Sequence, residues 1–428
     1  MAELEKVMEQ KLIKQLCQGI SQWKYRPDIR TEDDLWNNFR DKLNRINTAA
    51  LHGQLITDNE FRQVKAFINE KAATPYTAGC WLAGENGVAQ IPLIRDDTAI
   101  GTITLKVINN REVAGGNSSY EVINQYMQKK ADPLDKDRRF DVTLLINGMP
   151  MIQIELKNRA HPFMDAYRQL KKYDKNENFR GLFGMVQMFV CTNGVDTQYI
   201  AADTISNLNE RFLTSWIDKD NHPVDDYLDF AKEVLSIPAA HNMVGKYSVM
   251  DKTKEKVILL RPYQIHAIEA IRKASYTGKS GFIWHTTGSG KTLTSYNVTK
   301  NLLDIPSIDK TLFLIDRKDL DTQTTTEFQS YAETDSIDVD ETKSTHDLEK
   351  KLLNNQKQTI VTTIQKLQNI MKRYSDKKAK ENPKLAAKRD KLKKLRIAFI
   401  VDECHRTVSA ETKRYLERYF SESLWYGL

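Results

Sequence analysis

A chain of 428 residues with 40% hydrophobic and 28% charged residues is expected to form a globular protein of two or three domains. Its four cysteines lie far apart, a spacing that indicates neither a zinc site nor a disulfide framework and that fits a reducing cytoplasm. The N-terminus has no apolar signal core and no stretch approaches about 18 apolar residues, so we expect no membrane insertion.

The net charge of +7 is concentrated in one segment. Lys372–Arg396 contains twelve lysines and arginines against three acids, a net charge of +9, so the remainder of the chain carries 7 − 9 = −2. The total charge therefore does not indicate a basic DNA channel. Two interpretations of the segment stay open, a contact with phosphates and a solvated helical insertion.

Two strand-forming stretches flank Asn147–Gly148 and predict a β-hairpin. Apolar residues alternate along both stretches, namely Val142, Leu144, Ile146, Ile152, Ile154 and Leu156. If these residues share one buried face, paired positions must sum to an even number. A two-residue turn gives an odd sum, whereas a three-residue loop pairs Ile146 with Pro150. The three-residue loop is therefore favoured, and it sets Asp141 opposite Glu155.

Asp141, Glu155 and Lys157 would then lie on one exposed face, where opposed Cβ atoms are about 4.5–5.5 Å apart. Two carboxylates that close repel unless a cation lies between them. Mg²⁺ suits such a site because it binds one or two carboxylates, several waters and a substrate phosphate. Bound Mg²⁺ lowers the pKa of its water and a nearby lysine orients the nucleophile, so the group could hydrolyse a phosphodiester. The alternative is a polar strand face whose charges are simply solvated.

Regular periodicity is lost between Ile237 and Lys256, which predicts a domain boundary near residue 245. Beyond it an apolar strand enters Phe282–Thr292 (FIWHTTGSGKT), whose glycine-containing loop runs into a helix. Backbone N–H groups and a helix N-terminus then face an anion. The predicted phosphate-binding residues are Thr287, Gly288, Ser289, Gly290, Lys291 and Thr292. Lys291 would reach the outer phosphates and the Thr292 hydroxyl would bind Mg²⁺.

A pair of acids, Asp402 and Glu403, ends the apolar strand Ile397–Val401. In a nucleotide site Asp402 would hold Mg²⁺ through water, and Glu403 would orient the water that attacks the γ-phosphate. The phosphate loop and these acids each follow the carboxyl end of a strand, as in α/β nucleotide-binding sheets. The chain is therefore predicted to bind a nucleoside triphosphate.

The hairpin residues resemble the PD-(D/E)xK nuclease motif, with Asp141 followed by Glu155–Lys157, although Phe140 stands where the motif has proline. Downstream, Gln169 and Tyr173 are similar to the Q-x-x-x-Y element in the R subunits of type I restriction enzymes and in related recombination nucleases. These two residues are four apart, on one face of a helix. The resemblance implies that both contribute to catalysis.

The second half of the chain resembles the first lobe of superfamily 2 helicases and translocases. Gln264 is similar to the glutamine that reads adenine there, and Asp402–His405 is similar to the DEAH box, with cysteine in place of alanine. Thr311–Gln323 and Thr359–Leu367 resemble motifs Ia and Ib, of which motif Ia contacts one DNA strand. Such a lobe implies ATP and Mg²⁺ as cofactors.

These resemblances cover nearly all of residues 110–428, and the chain is identified as an N-terminal part of the R subunit of a type I restriction enzyme. They imply an α/β protein in which residues 1–245 form a PD-(D/E)xK restriction-endonuclease-like domain with a mixed sheet. Residues 246–428 would form a RecA-like P-loop lobe with a parallel sheet. The implied activity is Mg²⁺-dependent cleavage of double-stranded DNA with ATP-driven translocation. The implied partners are methyltransferase and specificity subunits, with AdoMet bound only through the methyltransferase.

A chain that stops after one motor lobe lacks groups that ATP hydrolysis needs across the cleft, so we expect a truncated protein with poor ATP turnover. Two alternatives stay open. The first is another helicase-linked nuclease, such as a type III restriction enzyme or a DNA repair motor. The order of nuclease before motor favours type I, because type III enzymes usually carry the nuclease after the motor. The second is an assembly module that binds ATP and DNA and does not cleave.

Overall fold

The computed structural model divides the chain into two compact units, Met1–Pro262 and Tyr263–Leu428. Each unit has its own sheet and its own buried apolar residues. The residues described are 4–19, 22–84, 86–128, 138–175, 179–204, 206–286, 288–315, 323–333, 339–375, 382–402, 404 and 409–428.

The first unit is built on a mixed sheet flanked by helices. Its helices are α1 (Glu5–Leu16), α2 (Glu32–Ile46), α3 (Asp58–Lys71), α4 (Pro75–Ala83), α5 (Met164–Lys175), α6 (Tyr227–Glu233) and α7 (Ile237–Gly245). Its strands are β1 (Lys24–Tyr25), β2 (Val88–Ile94), β3 (Thr102–Asn109), β4 (Tyr120–Gln128), β5 (Arg138–Ile146), β6 (Met149–Leu156), β7 (Met188–Thr192), β8 (Thr197–Ala201), β9 (Thr214–Ser215), β10 (Ser248–Asp251) and β11 (Lys256–Leu259). The main sheet has the order β1-β4-β5-β6-β7-β8-β9, with β1-β4 and β6-β7 parallel. The pairs β2-β3 and β10-β11 form separate antiparallel ribbons.

The second unit is built on a parallel sheet in the order β12-β17-β16-β13-β15-β14. Its strands are β12 (Gly281–Phe282), β13 (Lys310–Ile315), β14 (Val339–Glu341), β15 (Gln358–Thr363), β16 (Ile397–Val401) and β17 (Leu424–Gly427). Its helices are α8 (Pro262–Tyr276), α9 (Lys291–Leu303), α10 (Gln323–Ala332), α11 (Thr345–Leu353), α12 (Ile364–Arg373), α13 (Pro383–Lys393) and α14 (Ala410–Tyr419). Within the described ranges no helix is long and apolar enough to cross a membrane.

Local sequence sets the start of α2. The Thr31 hydroxyl accepts a hydrogen bond from the Asp34 N–H, and the Asp34 carboxylate accepts one from the Thr31 N–H at 2.9 Å. This capping box satisfies two donors that the helix itself leaves unpaired. The helix then buries one apolar face, formed by Leu35, Trp36, Phe39 and Leu43.

The hairpin between β5 and β6 has a two-residue turn, so the predicted three-residue loop over 147–149 is wrong. Asn147 and Gly148 adopt φ values of 51° and 79°, and Ile146 pairs with Met149. Asparagine tolerates this left-handed conformation, and its side-chain oxygen accepts a hydrogen bond from the Ser119 N–H at 2.7 Å. The turn is therefore fixed both by its two residues and by a contact with the start of β4.

A β-bulge restores the register that the apolar alternation predicts. Leu144 pairs with Ile152 and Val142 with Ile154, while Met151 is the extra residue on β6. The even pairing is thus present at the far end of the hairpin, although a bulge and not a longer loop produces it. The physical cause is that the apolar residues of both strands must reach the same buried face.

The division between the units falls after the predicted boundary near residue 245, because the β10-β11 ribbon belongs to the first unit. This ribbon contacts α4 and β8. In addition, the Tyr199 hydroxyl donates a hydrogen bond to the carbonyl of Leu260 at 2.8 Å. Loss of sequence periodicity therefore marked the start of a packed ribbon and not a linker.

His241 of α7 is buried and joins two other segments of the first unit. Its Nδ1 lies 2.8 Å from the Tyr120 hydroxyl and its Nε2 lies 3.3 Å from Asn110 Oδ1. A neutral imidazole can accept from the tyrosine and donate to the amide oxygen. Burial lowers the pKa of His241 to about 4, so the ring is neutral near physiological pH.

We expect the free energy of unfolding to fall as the pH drops from about 6.5 toward about 4. In that window the unfolded chain protonates His241 and the folded chain does not, a difference on the order of 3 kcal/mol. Urea unfolding near about pH 7.5 and about pH 4.5 tests this for the wild type and for His241→Gln. The variant should lose less stability between the two pH values, and equal losses would contradict the prediction.

Candidate functional site

The acids Asp141 and Glu155 lie side by side in the sheet of the first unit. The pairing of Val142 with Ile154 sets them opposite each other, and their carboxyl groups are hydrogen-bonded to one another. Glu155 is 0% exposed and Asp141 is half-buried, so the expected solvent-exposed face is wrong for Glu155. Because two carboxylates repel, this hydrogen bond requires a proton on one of them.

The sheet opens at Asp141. On the neighbouring strand β4, pairing with β5 is present at Asn124 and Tyr126, but Gln125 between them has a φ of 53° and leaves the ladder. A left-handed conformation at a non-glycine residue is strained and often marks a functional site. The carboxylate of Asp141 instead accepts a hydrogen bond from the Leu156 N–H at 2.9 Å. Asp141 is therefore held by the backbone of β6 at a position where β4 provides no pairing partner.

Two side-chain amides fix the carboxyl group of Glu155. Gln153 donates to Glu155 Oε1 at 2.9 Å, and Gln169 donates to Oε2 at 2.9 Å. Gln169 comes from α5, so the structure brings the first residue of the predicted Q-x-x-x-Y element into contact with the acids. Tyr173 lies in the last part of α5, and its side chain falls outside the described part of the chain.

Burial raises the pKa of both acids. The pKa of Asp141 rises to about 6, although the Leu156 N–H and the charge of Lys157 act in the opposite direction. The pKa of Glu155 is raised well above its ordinary value, first by burial and then by the charge of Asp141. The two groups therefore share a proton near neutral pH, and a cation that binds both must displace it.

Lys157 follows β6 directly and lies near the acids. Its backbone N–H donates to the carbonyl of Thr192 at 2.8 Å, and its Nζ lies 3.8 Å from a carboxylate oxygen of Glu5 on α1. Its positive charge lowers the pKa of Asp141. The structure thus brings the three predicted residues of the hairpin together.

Sequence reasoning missed a third acid, Glu9 of α1. Its carboxylate is buried, accepts hydrogen bonds from the side-chain amides of Asn124 and Gln125, and raises the pKa of Asp141. A signal was present, because Glu9 falls on the stripe of α1 that packs inward with Met8, Leu12, Ile13 and Leu16. An acid at a core position of an amphipathic helix is unusual and indicates a polar partner.

An open cavity of about 1120 Å³ leads to Asp141. Its lining includes Glu5, Glu9, Lys14, Arg30, Arg139 and Asp141. Among the described residues no three His, Cys, Asp or Glu side chains form a metal-binding cluster. A metal ion bound by Asp141 and Glu155 would therefore complete its shell with water and phosphate oxygens, which is how Mg²⁺ is usually held. The carboxylate donors suit that ion and Asp141 lines the cavity, whereas Glu155 is buried and both of its oxygens accept amide hydrogen bonds, so Glu155 would exchange one of these hydrogen bonds for the ion.

The predicted phosphate-binding loop joins β12 to α9 in the second unit. Gly288 and Gly290 both have a φ of 77°, and Gly290 is the N-cap of α9, which begins at Lys291. A Cβ on Gly290 would lie 2.9 Å from the side-chain amide of Gln264, so this position favours glycine. Thr287 lies outside the described residues. The loop therefore delivers the N-terminus of a helix, as an anion site requires.

Helix α8 supports this loop through two adjacent side chains. Gln264 is buried, and its Nε2 lies 3.4 Å from the Gly290 carbonyl and 3.3 Å from the Thr294 hydroxyl. The Tyr263 hydroxyl donates to the carbonyl of Ser289 at 2.6 Å. The structure thus brings the predicted adenine-reading glutamine against the predicted phosphate loop.

Asp402 follows β16, and its backbone N–H donates to the carbonyl of Leu314 at 3.0 Å. Strand β17 separates β16 from β12 in the parallel sheet, so Asp402 and the phosphate loop share the carboxyl edge. Thr292 lies in the first turn of α9 at that edge. Glu403 lies outside the described residues.

Comparisons with known proteins match both units. Residues 3–207 match the family described as type I restriction enzyme R protein N terminus, and residues 263–428 match the SWI2/SNF2 ATPase family. A type I restriction enzyme endonuclease subunit of Staphylococcus saprophyticus, SsaAORF53P, is 35% identical over 400 residues, covering 93% of this chain and 40% of that protein. The C-terminal part of the MpnIIP endonuclease subunit of Mycoplasma pneumoniae is 37% identical over 218 residues, 48% of this chain and 99% of that protein. The chain belongs to the family of type I restriction enzyme endonuclease subunits.

The family assignment confirms the predicted fold classes, an endonuclease-like domain followed by a RecA-like ATPase lobe. The second unit thus matches an ATPase family, and the relatives are named as endonuclease subunits of restriction enzymes. The chain spans 40% of the length of the staphylococcal relatives. A DNA-bound structure of the type ISP enzyme LlaGI matches 40% of this chain and 17% of its own, at 20% identity and a TM-score of 0.29, which is too low to support an argument.

We expect Mg²⁺ to raise the unfolding temperature of the wild type at about pH 8 and to leave that of Glu155→Gln unchanged. Folding raises the pKa values of Asp141 and Glu155, so the folded state binds more protons than the unfolded state. The free energy of unfolding is therefore expected to fall as the pH rises through these pKa values. A Mg²⁺ ion bound between the two carboxylates would remove their repulsion. In EDTA the variant should melt above the wild type at about pH 8 and close to it at about pH 5. A variant that melts below the wild type at the higher pH would contradict this account.

Proposed function

We propose that the first unit of this chain hydrolyses phosphodiesters of double-stranded DNA with Mg²⁺, and that the second unit binds ATP to drive DNA translocation within a type I restriction complex. The observation that carries the nuclease proposal is the hydrogen-bonded pair of half-buried Asp141 and buried Glu155 beside Lys157. Such a pair is costly to bury unless a cation compensates it. A metal ion bound at this site would provide that compensating charge.

In this proposal Asp141 and Glu155 release the proton they share and act as the metal ligands. Gln169 holds Glu155 in one orientation, and Tyr173 acts from the same helix. Lys157 orients the attacking water and stabilises negative charge on the phosphate. Bound Mg²⁺ would lower the pKa of a water and stabilise charge on the phosphate oxygens.

The proposed ATP site combines the loop Thr287–Thr292 with Asp402 and Glu403 at the same sheet edge. Lys291 binds the outer phosphates, and the threonine that follows it binds Mg²⁺ together with Asp402. Glu403 orients the water that attacks the γ-phosphate. Gln264 reads the adenine, which its contact with the loop supports.

The proposed partners are double-stranded DNA and the methyltransferase and specificity subunits, with AdoMet bound only through the methyltransferase. This proposal is supported by the names of the relatives, which are endonuclease subunits of type I restriction enzymes. We place the activity in the cytoplasm. The wide spacing of the four cysteines, which indicates no disulfide framework, supports a reducing compartment.

We expect Glu155→Ala and Lys157→Ala each to lower DNA cleavage by the assembled enzyme by about 100-fold or more, because each removes a group of the proposed metal site. ATP-driven translocation should persist, since the ATP site lies in the other unit. Cleavage and triplex displacement on one DNA substrate measure the two activities separately.

Lys172→Ala is the matched control, because Lys172 is exposed on α5, which also carries Gln169. It should cut DNA at the wild-type rate. Wild-type cutting by both site variants would overturn the nuclease assignment. Loss of translocation as well as cleavage would mean that the metal site is needed for the motor, which is not what we propose.

Gln264→Ala should weaken ATP binding by roughly tenfold, about 1.4 kcal/mol, and should leave GTP binding unchanged. The reason is that the substitution removes adenine recognition and keeps the phosphate loop. Lys291→Ala should weaken both nucleotides equally, because the lysine contacts phosphates. Fluorescent-nucleotide titration gives the affinities, and an equal loss of ATP and GTP in Gln264→Ala would assign that residue to the loop's structure and not to the base.

A further inference from the structure

Positive charge in the second unit is concentrated on three neighbouring helices. These are α11, the last turn of α12, and α13 with the Lys394 that follows it, and α11 packs against both α12 and α13. Together they carry ten lysines and arginines and three acids. We call this set the basic helix surface. From the sequence, its role was open between phosphate contact and solvation.

Polar contacts hold α13 in place. Leu392 is its buried residue, whereas Lys388 Nζ lies 3.0 Å from the Glu349 carboxylate and Lys391 Nζ donates to the Leu353 carbonyl at 2.8 Å. These two contacts advance in the same direction along both helices, so α13 runs parallel to α11. The helix is thus fixed at its sides by charge and hydrogen bonds, and most of its surface faces solvent.

The buried carboxylate of Glu349 anchors all three helices. Arg373 lies 2.6 Å from it, Lys388 contacts it, and the Tyr374 hydroxyl donates to it. Burial alone would raise the pKa of Glu349, but the hydrogen bonds from Tyr374, Lys388 and Arg373 lower it to about 2. Its charge is therefore already matched by the cations that it holds, and it does not neutralise the rest of the surface.

The other two acids are also paired. Asp347 lies 3.1 Å from Lys351, and Asp390 lies 2.8 Å from Arg389. The ten cations of this surface outnumber its three acids by seven. Four lysines are exposed and form no ion pair within the described part of the chain, namely Lys350, Lys372, Lys384 and Lys394.

The composition of these helices limits the class of partner that the basic helix surface can bind. None of the large exposed hydrophobic residues lies on them, whereas a helix that lies on a membrane inserts an apolar face. Neither α11 nor α13 contains Phe, Tyr or Trp, whereas proteins that bind single strands stack bases on aromatic rings. A partner that presents its charge on the outside, as a nucleic acid duplex does, fits this surface.

We propose that the basic helix surface binds the phosphate backbone of duplex DNA without reading its sequence, in addition to the ATP and nuclease sites. This binding role rests on the proposed function in one respect, namely that duplex DNA is the substrate of the protein. From Lys384 to Lys394 the chain rises ~15 Å, and a duplex of that length presents about nine phosphate charges. Lysine ammonium groups bind phosphate as point charges, without the fixed geometry that base recognition requires.

The test is equilibrium binding of the full 428-residue chain to duplexes of about 30 base pairs with unrelated sequences, measured against salt concentration. The test variant replaces Lys350, Lys372, Lys384 and Lys394 by glutamine. The control replaces four exposed lysines elsewhere by glutamine, Lys106, Lys219, Lys273 and Lys279. We expect the test variant to lose about 1000-fold or more in affinity at about 50 mM salt on every duplex, and to reduce the slope of log K against log salt by about 3.6, about 0.9 for each lysine removed. The control should match the wild type.

Equal losses in the two variants would overturn the proposal, because total charge and not this surface would then govern binding. Unchanged duplex binding by the test variant would also overturn it and would favour an acidic protein surface as the partner. The double variant Lys384→Gln with Lys394→Gln should give about half the change in slope. Duplex binding is measured without Mg²⁺ and without ATP, so a failure of the nuclease proposal would appear only in the cleavage assay.

Discussion

The hydrogen bond between the carboxyl groups of half-buried Asp141 and buried Glu155 is the interaction on which the proposed chemistry of the first unit depends. Burial raises both pKa values, so the pair holds a proton that a bound cation would replace in the proposed function. The amides of Gln153 and Gln169 satisfy the remaining oxygens of Glu155, which offsets part of the cost of burial. The left-handed Gln125 leaves Asp141 without a pairing partner on β4, and Asp141 lines the cavity, whereas Glu155 is buried behind it.

The hairpin shows how two local devices together produce one register. Asn147–Gly148 forms the tightest turn that a hairpin allows, and that turn alone would put the strands one residue out of step with their apolar alternation. The bulge at Met151 absorbs the extra residue, so the apolar side chains regain a common face. The same step sets Asp141 and Glu155 against each other. A turn that favours one register and a core that requires another are reconciled by a bulge next to the functional site.

The second unit contains a buried carboxylate whose pKa shifts in the opposite direction. Glu349 is buried like Glu155, but its neighbours are Arg373, Lys388 and Tyr374, and its pKa falls to about 2. The neighbouring charges and donors, and not burial alone, decide the direction of the shift. An acid facing another acid is prepared for an incoming cation. An acid surrounded by cations instead fixes helices, and in doing so it presents the remaining lysines to a polyanion.

The sequence by itself determined the features that depend on local pattern. Alternation of period two predicted the even register that sets Asp141 opposite Glu155, and an apolar strand before a glycine-containing loop predicted the helix that begins at Lys291. Only the tertiary structure decided the length of the turn, the burial of Glu155 and the position of Glu9 near Asp141. The physical reason is that periodicity encodes which side of a strand a residue occupies, whereas burial and pKa depend on which distant helices cover that side. Helix α1 comes from the start of the first unit and α5 follows the hairpin, and their packing against β6 is not encoded within the hairpin.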